Sequence, residues 1–342
     1  MKKKFFLCAI LVAVAALVWT SWRRAQNRRC SLSFYAMDTA MTLTAYGPRA
    51  EEGLKAAQKR IKELESELSV TDPHSDVGRL NASGGAPTEI GCDAAHLLSF
   101  SLKLCADTGG ALDLTLYPLL RRWGFTTGTY RVLPRDEIEE LLKLTGPEKI
   151  RLSGATAQLA SGAMIDFGAI AKGLAGSEAA ATLRRCGVTA AVANLGGNVQ
   201  TLGLLPGGGS WRIGIRAPEG GLLGVLQVEE AAVVTSGGYE RFFVGPDGKK
   251  YWHILDPTTG EPARSGVVSA TVTGPSGELC DGLSTAFFVM GAEKAAQYWK
   301  DHPGTDFILL TDSGEIWLTE GVEKRFVLDS AYADAPVRKV LR

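Results

Sequence analysis

The sequence predicts an α+β fold in which mainly antiparallel sheets pack against helices. The first observation is that many short segments alternate between apolar and polar residues, whereas only a few repeat their apolar residues at helical spacing. The second is that strand segments follow one another through turns instead of alternating regularly with helices, which favours antiparallel pairing. The third is the 40 glycines among 342 residues, which are typical of a turn-rich chain. We expect residues 31–342 to form one compact unit with two lobes.

Five helices are predicted from apolar spacing and from their ends. Residues 51–68 place apolar side chains at helical spacing between charged ones, and helices over residues 93–107 and 134–144 both end near glycines. An alanine-rich helix ends at Cys186, just before a capping glycine. The last predicted helix spans residues 281–290.

Strands are predicted where alternation or a short apolar run lies between turn residues. Residues 34–46 form the first, as one continuous strand. Two hairpins are predicted, one turning at residues 246–248 and the other at residues 312–314. The remaining strands cover residues 190–193, 211–216, 224–228, 241–244, 251–255, 267–273, 306–311 and 315–319.

Composition excludes two classes of protein. Basic and acidic side chains number 37 each, so the formal net charge is zero and we predict no nucleic-acid partner. The six cysteines lack the paired spacing of zinc ligands. One of them lies in the apolar N-terminal segment, and the odd number that remains argues against a closed disulfide framework.

The N-terminus carries a membrane-anchor pattern over residues 1–30. Lysines precede an apolar run from Phe5 to Val18, and Trp19 and Trp22 follow it. The stretch is about as long as a bilayer span, and tryptophans suit the membrane interface. A cleaved signal peptide is the alternative, although no small-residue cleavage site follows the run. Basic residues flank both ends, so charge alone leaves the orientation open.

Asp281 and Thr285 form a candidate site for a divalent metal. Four residues apart in a predicted helix, they share one face of it. A carboxylate and a hydroxyl are hard oxygen ligands, which suit Mg²⁺ better than Zn²⁺. The alternative is structural, since Asp281 at the start of the helix would serve as its N-cap.

Residues 166–173 form a candidate anion site. A glycine-containing loop that enters a helix presents free N–H groups and the positive end of the helix dipole. Lys172 adds a positive charge within the first turns. The Walker pattern is absent. A plain strand–helix junction with a solvated lysine is the alternative.

His253 and Asp256 lie at the end of a predicted strand, in a rigid proline-containing turn. A histidine beside an aspartate can keep a defined tautomer and act as a base near neutral pH. The alternative is an aspartate that only stabilises the turn beside a histidine with satisfied hydrogen bonds. Glycine-rich turns at residues 194–198 and 235–239, and the polar groups of residues 111–118, complete the set of motifs.

Together and in this order, these segments resemble the ApbE family of FAD:protein FMN transferases over nearly all of the chain beyond the N-terminal segment. The most specific are His-x-x-Asp-Pro-x-Thr-Gly at residues 253–260 and Asp-x-x-x-Thr at residues 281–285. The matching stretches are residues 37–41, 75–81, 111–118, 166–173, 194–198, 235–241, 253–260 and 281–285. The resemblance therefore implies an ApbE-like catalytic domain.

The resemblance also implies a role for individual positions. Catalysis would fall to His253 and Asp256, with His253, or Asp256 through it, accepting a proton. The groups implied to bind Mg²⁺ are Asp281, Ser284, Thr285 and the backbone carbonyl of Ala169. The residues implied to line the FAD site are Met37, Thr71, Ala111, Leu112, Asp113, Asp166, Lys172, His253, Ile254 and Leu255.

The implied reaction is Mg²⁺-dependent transfer of FMN from FAD to a threonine or serine hydroxyl of an acceptor protein, with release of AMP. The family's acceptors imply a membrane electron-transfer subunit as partner, and hence a catalytic domain outside the cytoplasm, anchored to the cell membrane. The sequence departs from the family pattern twice. No aromatic residue lies near Thr71, where one commonly stacks on the flavin, and Asp38 replaces a glycine.

Other functions stay open on the sequence alone. A metal-dependent FAD pyrophosphatase, which would release FMN and AMP, is favoured by the missing aromatic residue near Thr71. A flavin-binding surface protein without turnover would not need the pair Asp281 and Thr285 together with His253. A structural membrane protein would leave the phosphate and metal motifs unexplained.

Overall fold

The computed structural model describes Phe6, Leu11, Val14, Ala15, Trp19, Thr20 and residues 26–342. The predicted anchor therefore lies largely outside the described residues. In the part of the chain that is described, no helix is both long and apolar enough to cross a membrane.

The central element is a nine-stranded sheet, antiparallel except at one edge, where the last two strands run parallel. Its order is β1 (Arg29–Ala36), β2 (Thr39–Tyr46), β6 (Ala190–Leu195), β7 (Asn198–Leu202), β10 (Ala232–Gly237), β13 (Val267–Gly274), β14 (Asp306–Thr311), β15 (Ile316–Thr319) and β17 (Val337–Val340). Three smaller antiparallel sheets accompany it. They are β3 (Thr88–Glu89), β5 (Thr156–Leu159) and β4 (Ile150–Ser153); β16 (Phe326–Leu328), β9 (Leu222–Val228) and β8 (Trp211–Arg216); and the two-stranded ribbon of β11 (Phe242–Val244) and β12 (Lys250–Trp252).

Helices of the described chain pack against these sheets, and the predicted α+β fold is confirmed. They are α1 (Ala50–Leu68), α2 (Asp76–Asn81), α3 (Cys92–Asp107), α4 (Tyr117–Trp123), α5 (Arg135–Leu142), α6 (Ala171–Arg185), α7 (Gly277–Met290), α8 (Ala292–Asp301) and α9 (Glu320–Glu323). The amphipathic α1 buries its apolar stripe, as its spacing predicts. The largest core lies between the central sheet and α1, α6 and α7, and it fixes the relative positions of the motif-bearing segments.

Two predicted elements are wrong in detail. Residues 34–46 form a hairpin of β1 and β2 instead of one strand, because the chain reverses at Met37 and Asp38, whose φ angles are 49° and 58°. Methionine rarely adopts such a φ, and no glycine follows Asp38, so the usual sequence signal of a two-residue hairpin turn is missing. The last predicted helix begins at Gly277 instead of Asp281, with Ser276 as its N-cap.

Candidate active site

Two helices from distant parts of the chain cross with their backbones in contact. A Cβ atom on Gly173 would lie 2.3 Å from the carbonyl oxygen of Gly277, and one on Gly277 would lie 2.3 Å from that of Gly173. Only glycine permits this approach of α6 and α7. The crossing brings the Asp281 carboxylate to the first turn of α6, where its Oδ2 accepts a 2.7 Å hydrogen bond from the Gly173 N–H.

Asp281 is therefore not the N-cap of its own helix. Asp281 is only 4% exposed, and burial raises the pKa of its carboxyl group to about 6. The positive charge of Lys172 and the N–H of Gly173 oppose this shift by favouring the ionised form. A carboxylate held in this way retains strong electrostatic attraction for a cation.

Hydroxyl groups surround this carboxylate on α7 and β10. Thr285, one helical turn beyond Asp281, faces the same cavity, and its Oγ1 lies 3.2 Å from the Ser236 Oγ. Ser284 is placed differently: its hydroxyl donates to the Asp281 carbonyl at 2.8 Å and lies 2.8 Å from the Ser236 Oγ. Ser284 is fully buried and does not line the cavity, and its hydroxyl supports that of Ser236.

Asn198 adds a buried amide to the same wall. Asn198 is 2% exposed, and neither the oxygen nor the nitrogen of its side-chain amide makes a hydrogen bond of acceptable geometry with any described group. The amide nevertheless lies close enough to Asp281 to lower the pKa of that carboxyl group. A buried amide oxygen without a donor is costly unless a ligand satisfies it, and a bound cation would do so.

The oxygen groups of this wall fit a magnesium ion. They comprise the Asp281 carboxylate, the hydroxyls of Thr285 and Ser236 and the Asn198 amide, and Ala169 lines the same cavity. Among the described residues, no cluster of three histidine, cysteine or acidic side chains is placed to hold a metal. A hard cation that accepts neutral oxygen atoms and water suits such a set better than zinc does.

The loop before α6 lies beside this wall. Asp166 Oδ1 accepts a 2.8 Å hydrogen bond from the Gly168 N–H, and the Lys172 ammonium group lies 3.4 Å from the Gly168 carbonyl oxygen. Burial raises the pKa of Asp166, while the Gly168 N–H and the charges of Lys172 and Arg241 act in the opposite direction. Lys172 also lowers the pKa of Asp281, which shows that its charge acts on both carboxylates.

His253 lines the same cavity and comes directly after β12 in the chain. Its Nδ1 is 3.1 Å from the backbone carbonyl oxygen of Arg241. A carbonyl only accepts, so Nδ1 carries the proton and Nε2 is left as the basic nitrogen. Burial, together with the charges of Arg241 and Lys172, lowers the pKa of His253 to about 4, although the hydrogen bond to the Arg241 carbonyl opposes the shift. The imidazole is therefore neutral at pH 7.

Asp256 does not pair with His253. Its Oδ1 accepts hydrogen bonds from the Thr258 N–H at 2.8 Å and from the Thr258 hydroxyl at 2.7 Å. It does not line the cavity. The carboxylate stabilises its own turn, as aspartate commonly does before a proline-containing reversal. This outcome matches the structural alternative, and it leaves His253 without the predicted partner.

Like Asp256, Asp113 accepts hydrogen bonds from a threonine two residues ahead, but unlike Asp256 it lines the cavity. Its Oδ1 accepts from the Thr115 N–H at 2.8 Å and from the Thr115 hydroxyl at 2.6 Å, which caps a short 3₁₀ turn. Burial raises the pKa of the Asp113 carboxyl group, and the Thr115 hydrogen bonds oppose the rise.

All these walls enclose one cavity of about 510 Å³. Such a volume lies within the usual range for cofactor-sized ligands. The predicted residues that line it are Met37, Thr71, Ala111, Leu112, Asp113, Asp166, Ala169, Lys172, His253, Ile254, Leu255, Asp281 and Thr285. Of the residues predicted for the site, Asp256 and Ser284 lie outside the lining.

Several lining residues escaped the sequence analysis. Glu65 on α1 accepts a 2.6 Å hydrogen bond from the Met37 N–H and so holds the turn between β1 and β2. The Arg241 guanidinium group donates to the Phe125 carbonyl oxygen. Arg241 ends a recognised motif, but Glu65 and Phe125 lie in segments with no local signal. No aromatic side chain lies at Thr71, and the phenylalanines that line the cavity, Phe125 and Phe167, are almost fully buried.

The chain matches one family model and several curated relatives. The model described as the ApbE family matches residues 37–309. The FAD:protein FMN transferase of Treponema pallidum (strain Nichols) is 30% identical, over 96% of this chain and 97% of its own length. That of Klebsiella pneumoniae (strain 342) is 32% identical, over 90% of this chain and 97% of its own.

Solved structures show the same architecture. The crystal structure of the ApbE protein from Thermotoga maritima superposes with a TM-score of 0.81 at 32% identity, covering 86% of this chain and 98% of the other. The apo form of the Pseudomonas stutzeri flavinyl transferase ApbE gives a TM-score of 0.74 at 29% identity, covering 91% and 97%.

Proposed function

This chain belongs to the ApbE family, and we propose that it is an FAD:protein FMN transferase that attaches FMN to a threonine or serine hydroxyl of an acceptor protein. The acceptor oxygen forms a bond to the flavin-side phosphorus of FAD, the pyrophosphate bond breaks, and AMP leaves with the bridging oxygen. The observation that carries this proposal is the convergence of the Asp281 wall, the Asp166–Lys172 loop and His253 on one cavity.

Asp281 and Thr285, with the carbonyl of Ala169, are the groups that would hold Mg²⁺, and the orphaned Asn198 amide supports a cation there. When bound, the ion supplies positive charge against the pyrophosphate oxygens. Asp281 does not need a second carboxylate, because its burial already strengthens its attraction for a cation.

Lys172 and the first turn of α6 are the groups that bind the phosphates. Lys172 is close enough to Asp281, Asp166 and His253 to change the pKa of each, so its ammonium charge acts across the whole polar wall. Because these groups are fixed by helix packing before substrate enters, they stabilise developing negative charge without reorganising.

His253 is the group that accepts the proton of the acceptor hydroxyl, at Nε2. The Arg241 carbonyl fixes the tautomer, and the low pKa keeps the ring unprotonated at neutral pH. A low pKa makes a weak base, so the proton moves late, as charge builds on the attacking oxygen. Asp256 has no contact with His253 among its described hydrogen bonds and holds the turn that follows.

The test uses the purified full-length chain with FAD, Mg²⁺ and a candidate acceptor, followed by in-gel flavin fluorescence and measurement of AMP. A fluorescent acceptor band with equimolar AMP supports transfer. AMP and free FMN without a band would instead indicate a pyrophosphatase, which the absence of an aromatic side chain at Thr71 favours. Neither product would leave a flavin-binding protein without turnover.

We also propose that the N-terminal segment anchors the enzyme, with its catalytic unit outside the cytoplasm and near a membrane electron-transfer acceptor. The apolar run with tryptophans at its end supports the anchor, whereas the outer location rests on the resemblance to the family and not on the flanking charges. Protease treatment of intact spheroplasts tests it: degradation of the catalytic unit agrees with the outer location, whereas protection contradicts it.

A further inference from the structure

The ribbon of β11 and β12 stands at the mouth of the cavity. Arg241, immediately before β11, and His253, immediately after β12, both line the cavity, whereas the turn at residues 245–248 lies at the far end. The proposed reaction involves residues at the base of this ribbon but none on its outer surface.

The hydrogen-bond pattern leaves one edge of β11 without a partner strand. His253 N–H donates to the Arg241 carbonyl at 3.2 Å, and Gly245 N–H donates to the Lys249 carbonyl at 2.8 Å. Antiparallel pairs alternate between bonded and non-bonded positions, so the N–H and C=O groups of Phe242 and Val244 point away from β12. Within the described chain this sheet has only two strands.

The side chains of the same positions are apolar and exposed. Phe242 is 38% exposed and Val244 is 58% exposed, while Phe243 between them packs inward against Trp123 and Phe125. An exposed apolar edge strand is a template for pairing with another chain unless it is protected.

One positive charge lies beside the exposed side chains of this strand. The Lys250 ammonium group lies 4.9 Å from the centre of the Phe242 ring. It makes no ion pair with a carboxylate of the described residues, in contrast to the neighbouring Lys249, which pairs with Asp247. The surface therefore suits a segment that combines apolar and acidic side chains.

We propose that the acceptor protein adds an extended apolar and acidic segment as a third strand along the outer edge of β11, with its target hydroxyl at the Arg241 end; this inference rests on the proposed function. Main-chain hydrogen bonds to Phe242 and Val244 fix the register, and Lys250 selects acidic neighbours. Since a strand advances about 3.3 Å per residue, the hydroxyl lies within a few residues of the paired segment.

Two synthetic peptides test this docking surface. In both, valine alternates with a charged residue, and a single threonine follows. The charged residue is aspartate in one peptide and lysine in the other. We expect the wild-type enzyme to flavinylate the aspartate peptide with a KM at least about tenfold lower than that of the lysine peptide. Failure to label either peptide, or an equal KM for both, overturns the proposal.

Variants of the edge locate the effect. Val244→Pro removes an outward N–H without touching the β11–β12 ladder, and Val244→Glu adds a charge that repels the aspartate peptide. Each should raise the KM of the aspartate peptide about tenfold, a factor that corresponds to the free energy of roughly one hydrogen bond. The kcat and the FAD dissociation constant should stay unchanged. Val327→Glu, at an exposed valine on β16 that is 63% exposed, is the matched control and should change nothing.

These measurements separate the docking surface from the proposed function. If Val244 variants keep the wild-type peptide KM, docking at β11 is wrong although FMN transfer stands. If the wild-type enzyme cleaves FAD but labels no acceptor protein at all, the transferase function itself fails. Equal losses in FAD affinity and peptide KM would show a general distortion of the cavity and would also overturn the docking proposal.

Discussion

The Gly173 N–H donates a 2.7 Å hydrogen bond to the Asp281 carboxylate, and this bond joins the first turn of α6 to the middle of α7. It exists only because the two helices touch at Gly173 and Gly277. The group that would bind a cation is thereby fixed against the loop that would bind phosphates.

Gly173→Ala should damage both stability and activity. The added Cβ would lie 2.3 Å from the Gly277 carbonyl oxygen, so the helices must move apart and Asp281 must lose its N–H donor. We expect a loss of about 1–3 kcal/mol in the free energy of unfolding, measured by urea titration, and a loss of most activity.

Gly176→Ala, in the same helix, is the control for that substitution. Its Cβ would lie 3.3 Å from the nearest atom, the Gln200 Cβ, and alanine has the higher helix propensity. Stability should change little. If Gly173→Ala behaves in the same way, the close helix crossing is not what positions Asp281.

Asp281→Asn should stabilise the metal-free protein at pH 7.5 while it reduces turnover. Burial holds the pKa of Asp281 at about 6, above the ordinary value of 3.8, so ionisation at pH 7.5 costs up to about 3 kcal/mol of stability. Asparagine keeps an oxygen for the Gly173 N–H but carries no charge. Thermal unfolding in EDTA checks the first effect, and AMP release checks the second.

Mg²⁺ should raise the Tm of the wild-type protein but not that of Asp281→Asn. Binding at a hundred times the dissociation constant stabilises the native state by about 2.7 kcal/mol. An equal shift of Tm in both proteins would place the cation elsewhere.

The pH dependence of stability has a definite sign. Because the folded-state pKa of Asp281 is raised, protonation of its carboxyl group stabilises the folded state. This stabilisation is fully present below about pH 4 and is lost as the pH rises through about 6. In metal-free protein, the stability difference between Asp281→Asn and wild type should therefore grow between pH 4 and pH 7. A difference that is flat across this window would show that Asp281 is not buried as described.

His253→Ala should slow FMN transfer and leave FAD binding largely intact. Loss of a positioned base typically reduces the rate by ~10²–10⁴-fold. Single-turnover transfer and equilibrium FAD titration separate the two effects, and weakened FAD binding would assign His253 to binding instead. His302→Ala is the control, since its Nδ1 also lies 2.9 Å from a backbone carbonyl oxygen, that of Tyr298, but outside the cavity.

Asp38→Gly should raise the free energy of unfolding by about 1 kcal/mol. Asp38 adopts a left-handed φ of 58°, which glycine accepts without the cost that a Cβ atom imposes. Asp312→Gly, in a turn with an ordinary φ, should instead lower stability because glycine gains more freedom in the unfolded chain. Urea titration of both variants checks the contrast, which disappears if the Met37–Asp38 turn is unstrained.

Local patterns predicted the regular elements best. The apolar stripe of α1 and the alternating strand β8 follow directly from spacing, because each has one face against the core, whereas β14 follows from a short apolar run that is buried on both faces. The hairpin at Met37 was missed because its turn lacks glycine and asparagine, and the Glu65 carboxylate that supports it lies on another element.

The sequence by itself determined which reactive groups this protein carries and in which order, and that order was sufficient to indicate the family. Only the tertiary structure decided which of them share a cavity. Ser284 and Thr285 are adjacent, but about 100° of helix rotation separates them, so one supports Ser236 and the other faces the cavity. Asp256 turns its carboxylate to Thr258, whereas Asp281 reaches Gly173 across 108 residues of sequence. The physical reason is that side-chain direction depends on where each helix begins and on how closely distant segments pack, and neither is contained in a local stretch of sequence.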